Sequence, residues 1–108
     1  MAKDELYAVG VWKVKNGREK EFILTWAEFA DWSAENVPGS MAARLLQDES
    51  QPGRMISFGP WENAEDIARW RAMPEFKLFF SRAKEMCEEV SPANMRLVAE
   101  TGPVDRSL

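Results

Sequence analysis

The sequence predicts an α+β fold, a ferredoxin-like split βαβ sandwich in the order strand, helix, strand, strand, bent helix, strand. Three observations carry this. The hydrophobic period switches repeatedly between two and the helical value along 108 residues, with turn residues at each switch. The chain is 45% hydrophobic, enough for one compact core that buries roughly 60 to 70% of its unfolded surface. The strands are apolar on both alternating faces, as in a sheet covered on both sides. One domain is expected over residues 3–102, with a fraying Gly-Pro tail over 103–108.

The first strand is "ELYAVGVWKVK" (5–15), with Tyr7, Val9 and Val11 on one face and Ala8, Gly10, Trp12 and Val14 on the other. Asn16 and Gly17 turn the chain into a helix whose stripe is Phe22, Ile23, Trp26, Phe29, Ala30 and Ser33, with Glu19, Glu21, Glu28 and Asp31 mostly outside it. "VPGS" stops that helix, because Pro38 disfavours helical Val37 and Gly39 permits a reversal. "MAARLLQ" (41–47) and "RMISFGPW" (54–61), joined by the polar "DESQPG", form an antiparallel hairpin. Asn63 caps a short helix that carries Ile67 and Trp70 on one face, with Glu65 and Asp66 at its positive end. Pro74 opens a second segment in which Phe76, Phe79, Phe80, Ala83, Cys87 and Val90 keep helical spacing. "ANMRLVAET" (93–101) is the last strand. A sheet with two apolar faces needs a cover on its second side, and the simplest is another copy, so a homodimer in which two sheets close into an α/β barrel is expected.

Composition narrows the chemistry. The chain has no histidine and one cysteine, Cys87, which removes the usual zinc and haem ligands and any intrachain disulfide, so no metal and no cofactor are expected. A net charge of −4 without a basic block argues against nucleic acid. No apolar run approaches the ~20 residues of a membrane span, and "MAKDELYAVG" lacks a secretory pattern, so no membrane association and a cytoplasmic location are expected.

The stretches "YAVGVWKVKNGREKEF", "NVPGS" and above all "SFGPWENAEDIARWRAMPEF" resemble the antibiotic biosynthesis monooxygenase domains over about residues 5–101. These are small dimeric α/β-barrel proteins that include quinol-type and haem-degrading oxygenases. The resemblance implies a site by position. In the haem-degrading branch a first-strand asparagine, a helix tryptophan and an axial histidine form the site. Trp70 matches the tryptophan, Gly10 and Val11 stand at the asparagine, and Phe80 stands at the histidine. In the quinol-oxygenase branch Trp61 matches the strand-end tryptophan, Ser57 replaces an asparagine and Ile67 a tyrosine. Phe80 falls near a helix arginine there, with Arg82 two residues on.

The resemblance thus implies cofactor-independent oxygenation, in which an electron-rich aromatic or polyketide-like anion (quinol or anthrone) reduces O₂ directly. The protein excludes water, holds the ring flat and places donors where charge develops. Trp61, Trp70, Ser57 and Arg82 are the candidate catalytic residues. Ile67, Phe80, Arg44 and Phe76 are the candidate substrate-binding residues, Arg44 as an alternative positive charge. Structural roles stand beside these: Trp26 in the core, Trp12 and Trp32 in the core or an interface, Cys87 as a small buried hydrophobe, Arg82 as a solvated or ion-paired side chain. Two other functions remain open, a non-catalytic dimer that binds a hydrophobic small molecule and, with less support, a haem-degrading oxygenase.

Overall fold

The computed structural model describes residues 5–103; the expected tail lies, from residue 104, outside the described residues. Its elements are β1 (Leu6–Val14), α1 (Glu19–Asn36), β2 (Arg44–Gln47), β3 (Arg54–Trp61), α2 (Ala64–Arg71), α3 (Pro74–Met86) and β4 (Cys87–Arg96). The strands form one antiparallel sheet in the order β2-β3-β1-β4, the ferredoxin-like arrangement. No helix among the described residues is long and apolar enough to cross a membrane.

Local signals set most boundaries. Gly17 turns the chain after β1 at φ 92°, a conformation that costs a residue without a Cβ little. Asn63 Oδ1 accepts the Asp66 N–H at 2.9 Å and caps α2. Met73 is extended, as a residue before proline prefers, and this breaks the second helical region into α2 and α3. On α1 the Phe22 side chain is fully buried while Leu24 is 66% exposed, so the apolar stripe faces the sheet.

The last third of the chain departs from the expected pattern. Helix α3 ends at Met86 rather than running on through Val90, β4 starts at Cys87 rather than Ala93, and residues 97–101 are not strand. Helical spacing of Cys87 and Val90 suggested otherwise, but β1 needs a partner along its whole free edge. Val14 pairs with Cys87, Trp12 with Val90 and Tyr7 with Met95, and the Lys15 N–H donates to the Met86 carbonyl at 2.8 Å. A longer helix would strip that end of β1 of its ladder, and unpaired backbone groups cost more than helix propensity returns. Strand β2 is likewise shorter than expected, with Ser40 touching Trp61 only as an isolated bridge.

The register divides the sheet into two faces. Gly10, Trp12, Met55 and Ser57 point toward the helices, whereas Tyr7, Val9, Val11, Ile56, Phe58, Leu46 and Met95 share the opposite face. There Val11, Leu46 and Met95 are 41, 55 and 52% exposed. Under the helices the core falls into two clusters. One gathers Trp12, Val14, Phe22, Met55, Phe79, Ala83, Met86 and Cys87, and the other Val37, Trp61 and Ile67.

Cys87 sits in the larger cluster as a free thiol, and burial pushes it up from 9.0 to about 11, against a smaller opposing pull from Lys15 and Arg18. The folded protein holds this proton more tightly than the unfolded chain. Its contribution to stability is therefore complete below the unfolded value near 9.0 and disappears as the pH rises through about 11. We expect the denaturation midpoint of the native sequence to fall more steeply across that window than the midpoint of Cys87→Ala. Parallel alkaline slopes for the two proteins would refute this.

Candidate active site

A cavity of about 80 Å³ lies where the two core clusters meet, and with its open mouth the depression encloses about 680 Å³. The enclosed part is smaller than the about 300 to 1,000 Å³ of small-molecule sites, so a ligand would have to occupy the open mouth as well. The sheet supplies its floor through Gly10, Trp12, Ser57 and Trp61, and helix α1 supplies Trp26, Phe29 and Ser33. The wall from the second helical region is Trp70, Arg71, Phe76, Phe79 and Phe80.

The floor is organised by Trp12. Its indole lies over Gly10, in space that a Cβ there would enter at 2.7 Å, and its Nε1–H donates to Ser57 Oγ at 2.9 Å in a buried bond. Gly10 and Ser57 are register partners on the central strands, so the serine stands where the indole arrives. Trp12 also meets Phe22 at 5.1 Å and Phe79 edge-on at 6.0 Å, joining β1 to both helical segments. The far wall is organised by Phe29, stacked on Phe79 with centroids 4.5 Å apart and on Trp70 at 5.8 Å. The Trp70 Nε1–H donates to Ser33 Oγ at 2.9 Å, which locks that indole onto α1.

Of the residues singled out in the sequence, Trp61, Trp70, Ser57, Phe76 and Phe80 line this cavity. The two indoles are 4.9 Å apart and tilted by 41°, so they form one continuous wall. Ile67, Arg44 and Arg82 do not line it. Ile67 is fully buried with Val37 and Trp61, as packing beneath the wall. Arg44 is the register partner of Phe58 and so belongs to the opposite face of the sheet. Arg82 is exposed on α3, off the stripe of Phe79, Ala83 and Met86 that faces the core.

Among the lining groups that the sequence reading does not single out are Ser33, Phe29 and Arg71. The first two lay on the recognised stripe of α1, and Arg71 directly follows Trp70. Arg71 is half-buried; one terminal nitrogen donates to Asn94 Oδ1 and the other to the Ala93 carbonyl at 3.3 Å. Its Nε is buried with no partner among the described residues, and burial lowers the guanidinium pKa from its ordinary value.

A ferredoxin-like sheet under one helical layer, with an aromatic cavity between them, defines a class of small α+β proteins. The family model for antibiotic biosynthesis monooxygenase matches residues 6–82, and the chain belongs to that family. Solved structures share the fold. SnoaB, a cofactor-independent oxygenase from Streptomyces nogalater, superposes with a TM-score of 0.81 at 21% identity over 94% of this chain and 99% of that one. A Nitrosomonas europaea protein of the antibiotic biosynthesis monooxygenase type gives 0.79 at 16% identity, over 94% and 98%. A conserved protein from Methanosarcina mazei gives 0.77 at 16%, over 88% and 94%. No curated protein matches the chain by sequence.

The close approach at Gly10 generates a prediction. In Gly10→Ala the new methyl would meet the Trp12 indole at 2.7 Å and Ser57 Oγ at 2.9 Å, forcing both to move. Overpacking of this kind costs about 1 to 3 kcal/mol. Denaturant unfolding should show that loss together with a shifted tryptophan emission. Native stability and an unchanged spectrum would contradict the tight approach.

Proposed function

We propose that the protein is a cofactor-independent monooxygenase that oxidises a small aromatic or polyketide-like quinol or anthrone in this cavity, and that it works as a homodimer. The observation that carries the reading is Ser57, a buried hydroxyl held in an aromatic cavity by the Trp12 N–H. Its oxygen accepts from the indole, so its own proton is available to a second acceptor. The cofactor-independent oxygenase among the structures of the same fold supports the same chemistry.

For an anthrone the balance is simple. The ring CH₂ gives up a proton, and the resulting anion passes one electron to O₂. Radical and superoxide then combine into a peroxide, which takes up a proton. Loss of the second C–H proton with O–O cleavage leaves a ketone and water, so one oxygen atom enters the product and the other leaves. No carboxylate among the described residues lines the cavity, so the substrate must be acidic enough to release its first proton to water. The protein holds the ring against Trp61, Trp70 and Phe76, excludes bulk water, and offers the Ser57 hydroxyl to the oxyanion.

Oxygen uptake with 1,8-dihydroxyanthrone tests this. The native protein should consume O₂ well above the buffer rate, and Ser57→Ala should lower kcat by about 100-fold, the worth of one oxyanion donor. A second reading, a non-catalytic binder, is favoured by one observation: the Trp70 N–H is already spent on Ser33, which leaves few donors for a substrate. Tight binding of the anthrone with uptake no faster than buffer would decide for the binder.

The dimer part rests on the apolar outer face of the sheet, where Val11, Ile56, Phe58 and Met95 lie side by side. A second copy over that face would bury more than about 1,000 Å². Light scattering should report twice the chain mass of 12.4 kDa, and a particle of the single-chain mass at micromolar concentration would overturn it.

A further inference from the structure

Resting on the reading of the cavity as a substrate site, we propose that Arg71 is its anion anchor and that the ligand it selects is a flat aromatic ring bearing an oxyanion. Arg71 is the one charged residue among the described residues that line the cavity. Every other wall is aromatic, aliphatic or a neutral hydroxyl. The sign of the cavity is therefore set by a single side chain.

The surroundings of this arginine differ from those of the protein's other paired cations. Among the described residues Lys13 pairs with Glu88, Arg18 with Glu21, Arg54 with Asp48 and Arg69 with Asp66, each cation on a solvent-exposed side chain. Arg71 is half-buried, and its described partners are neutral oxygens, Asn94 Oδ1 and the Ala93 carbonyl. A half-buried guanidinium with no counter-ion among the described residues carries a desolvation cost, more so with Nε left unpartnered there. A purely structural tie between α2 and β4 needs no charge, since a glutamine can donate to the same oxygens. A charge kept at that cost beside an apolar cavity fits a ligand that supplies the missing anion, and the two β4 oxygens hold the planar fork in place before it arrives.

Calorimetry with the full chain and two near-isosteric probes, 2-naphthoate and 2-naphthamide, tests the assignment. The native protein should bind the naphthoate at least about tenfold more tightly than the amide. Arg71→Gln, which keeps a donor for Asn94, should bind the two alike, and Arg71→Lys should retain a preference for the anion. The ratio of affinities is the readout, because a loss of packing lowers both together. Equal binding of the two probes by the native protein overturns the anchor and leaves the cavity reading standing, as does an anion preference that persists in Arg71→Gln. If neither probe binds, the cavity reading falls and the anchor with it. Should Arg71→Gln fail to fold, the native protein's own probe ratio and that of Arg71→Lys decide.

Discussion

The cavity depends on one buried hydrogen bond, from the Trp12 indole on β1 to the Ser57 hydroxyl on β3. The bond exists because Gly10 has no side chain, so the indole can lie back along its own strand and reach the neighbouring one. With the ring held there, Phe22 and Phe79 pack against it from the two helical segments. A residue of ordinary size at position 10 would force the indole and the serine hydroxyl to move, and the bond between them with it.

The same device recurs on the opposite wall. Trp70 is fixed by Ser33 as Trp12 is fixed by Ser57, each a large ring held in place by a serine on another element. Both N–H groups are thereby spent, which changes how polarity can work in the cavity. These two indoles act as walls, and the polar contribution passes to other lining groups, among them the Ser33, Ser40 and Ser57 hydroxyls and Arg71. The stacked run of Phe79, Phe29 and Trp70 makes those walls rigid, since several offset rings must move together for any one to tilt. A flat ligand would thus meet a shape that is already formed.

Much of this was legible in the sequence, and the parts that were not share a cause. The element order, the Asn63 cap, the break before Pro74 and the stripe of α1 all follow from local rules, and they appear in the structure. Trp70, Phe76 and Phe80 were legible because large rings at helical spacing point inward whatever their use. The phase of a strand is not a local property. Nothing in "MAARLLQ" says that Arg44 shares a face with Phe58; the pairing of β2 with β3 decides it. The Met86/Cys87 boundary is the same case, since the spacing of Cys87 and Val90 suits a helix and only the free edge of β1 makes it strand. Arg71 was hidden by the same non-locality: charged residues at the end of a short polar helix are usually solvated, and its burial depends on Ala93 and Asn94, more than twenty residues further on.

An anion anchor inside this chain works against a net charge of −4. Outside the protein that charge is screened within about 8 to 10 Å at physiological ionic strength, so it offers an approaching anion little attraction and only a modest barrier. Inside the cavity the aromatic walls exclude part of the solvent that would screen the half-buried Arg71, and its charge is felt more strongly there than at the open surface. Selection of the anion then belongs to the bound state rather than to the encounter. It shows in how slowly the ligand leaves, and salt weakens it less than it would weaken a surface pair. A ring without charge enters the same walls but leaves Arg71 uncompensated. The arginine that makes the empty fold more costly is the group that separates one flat molecule from another.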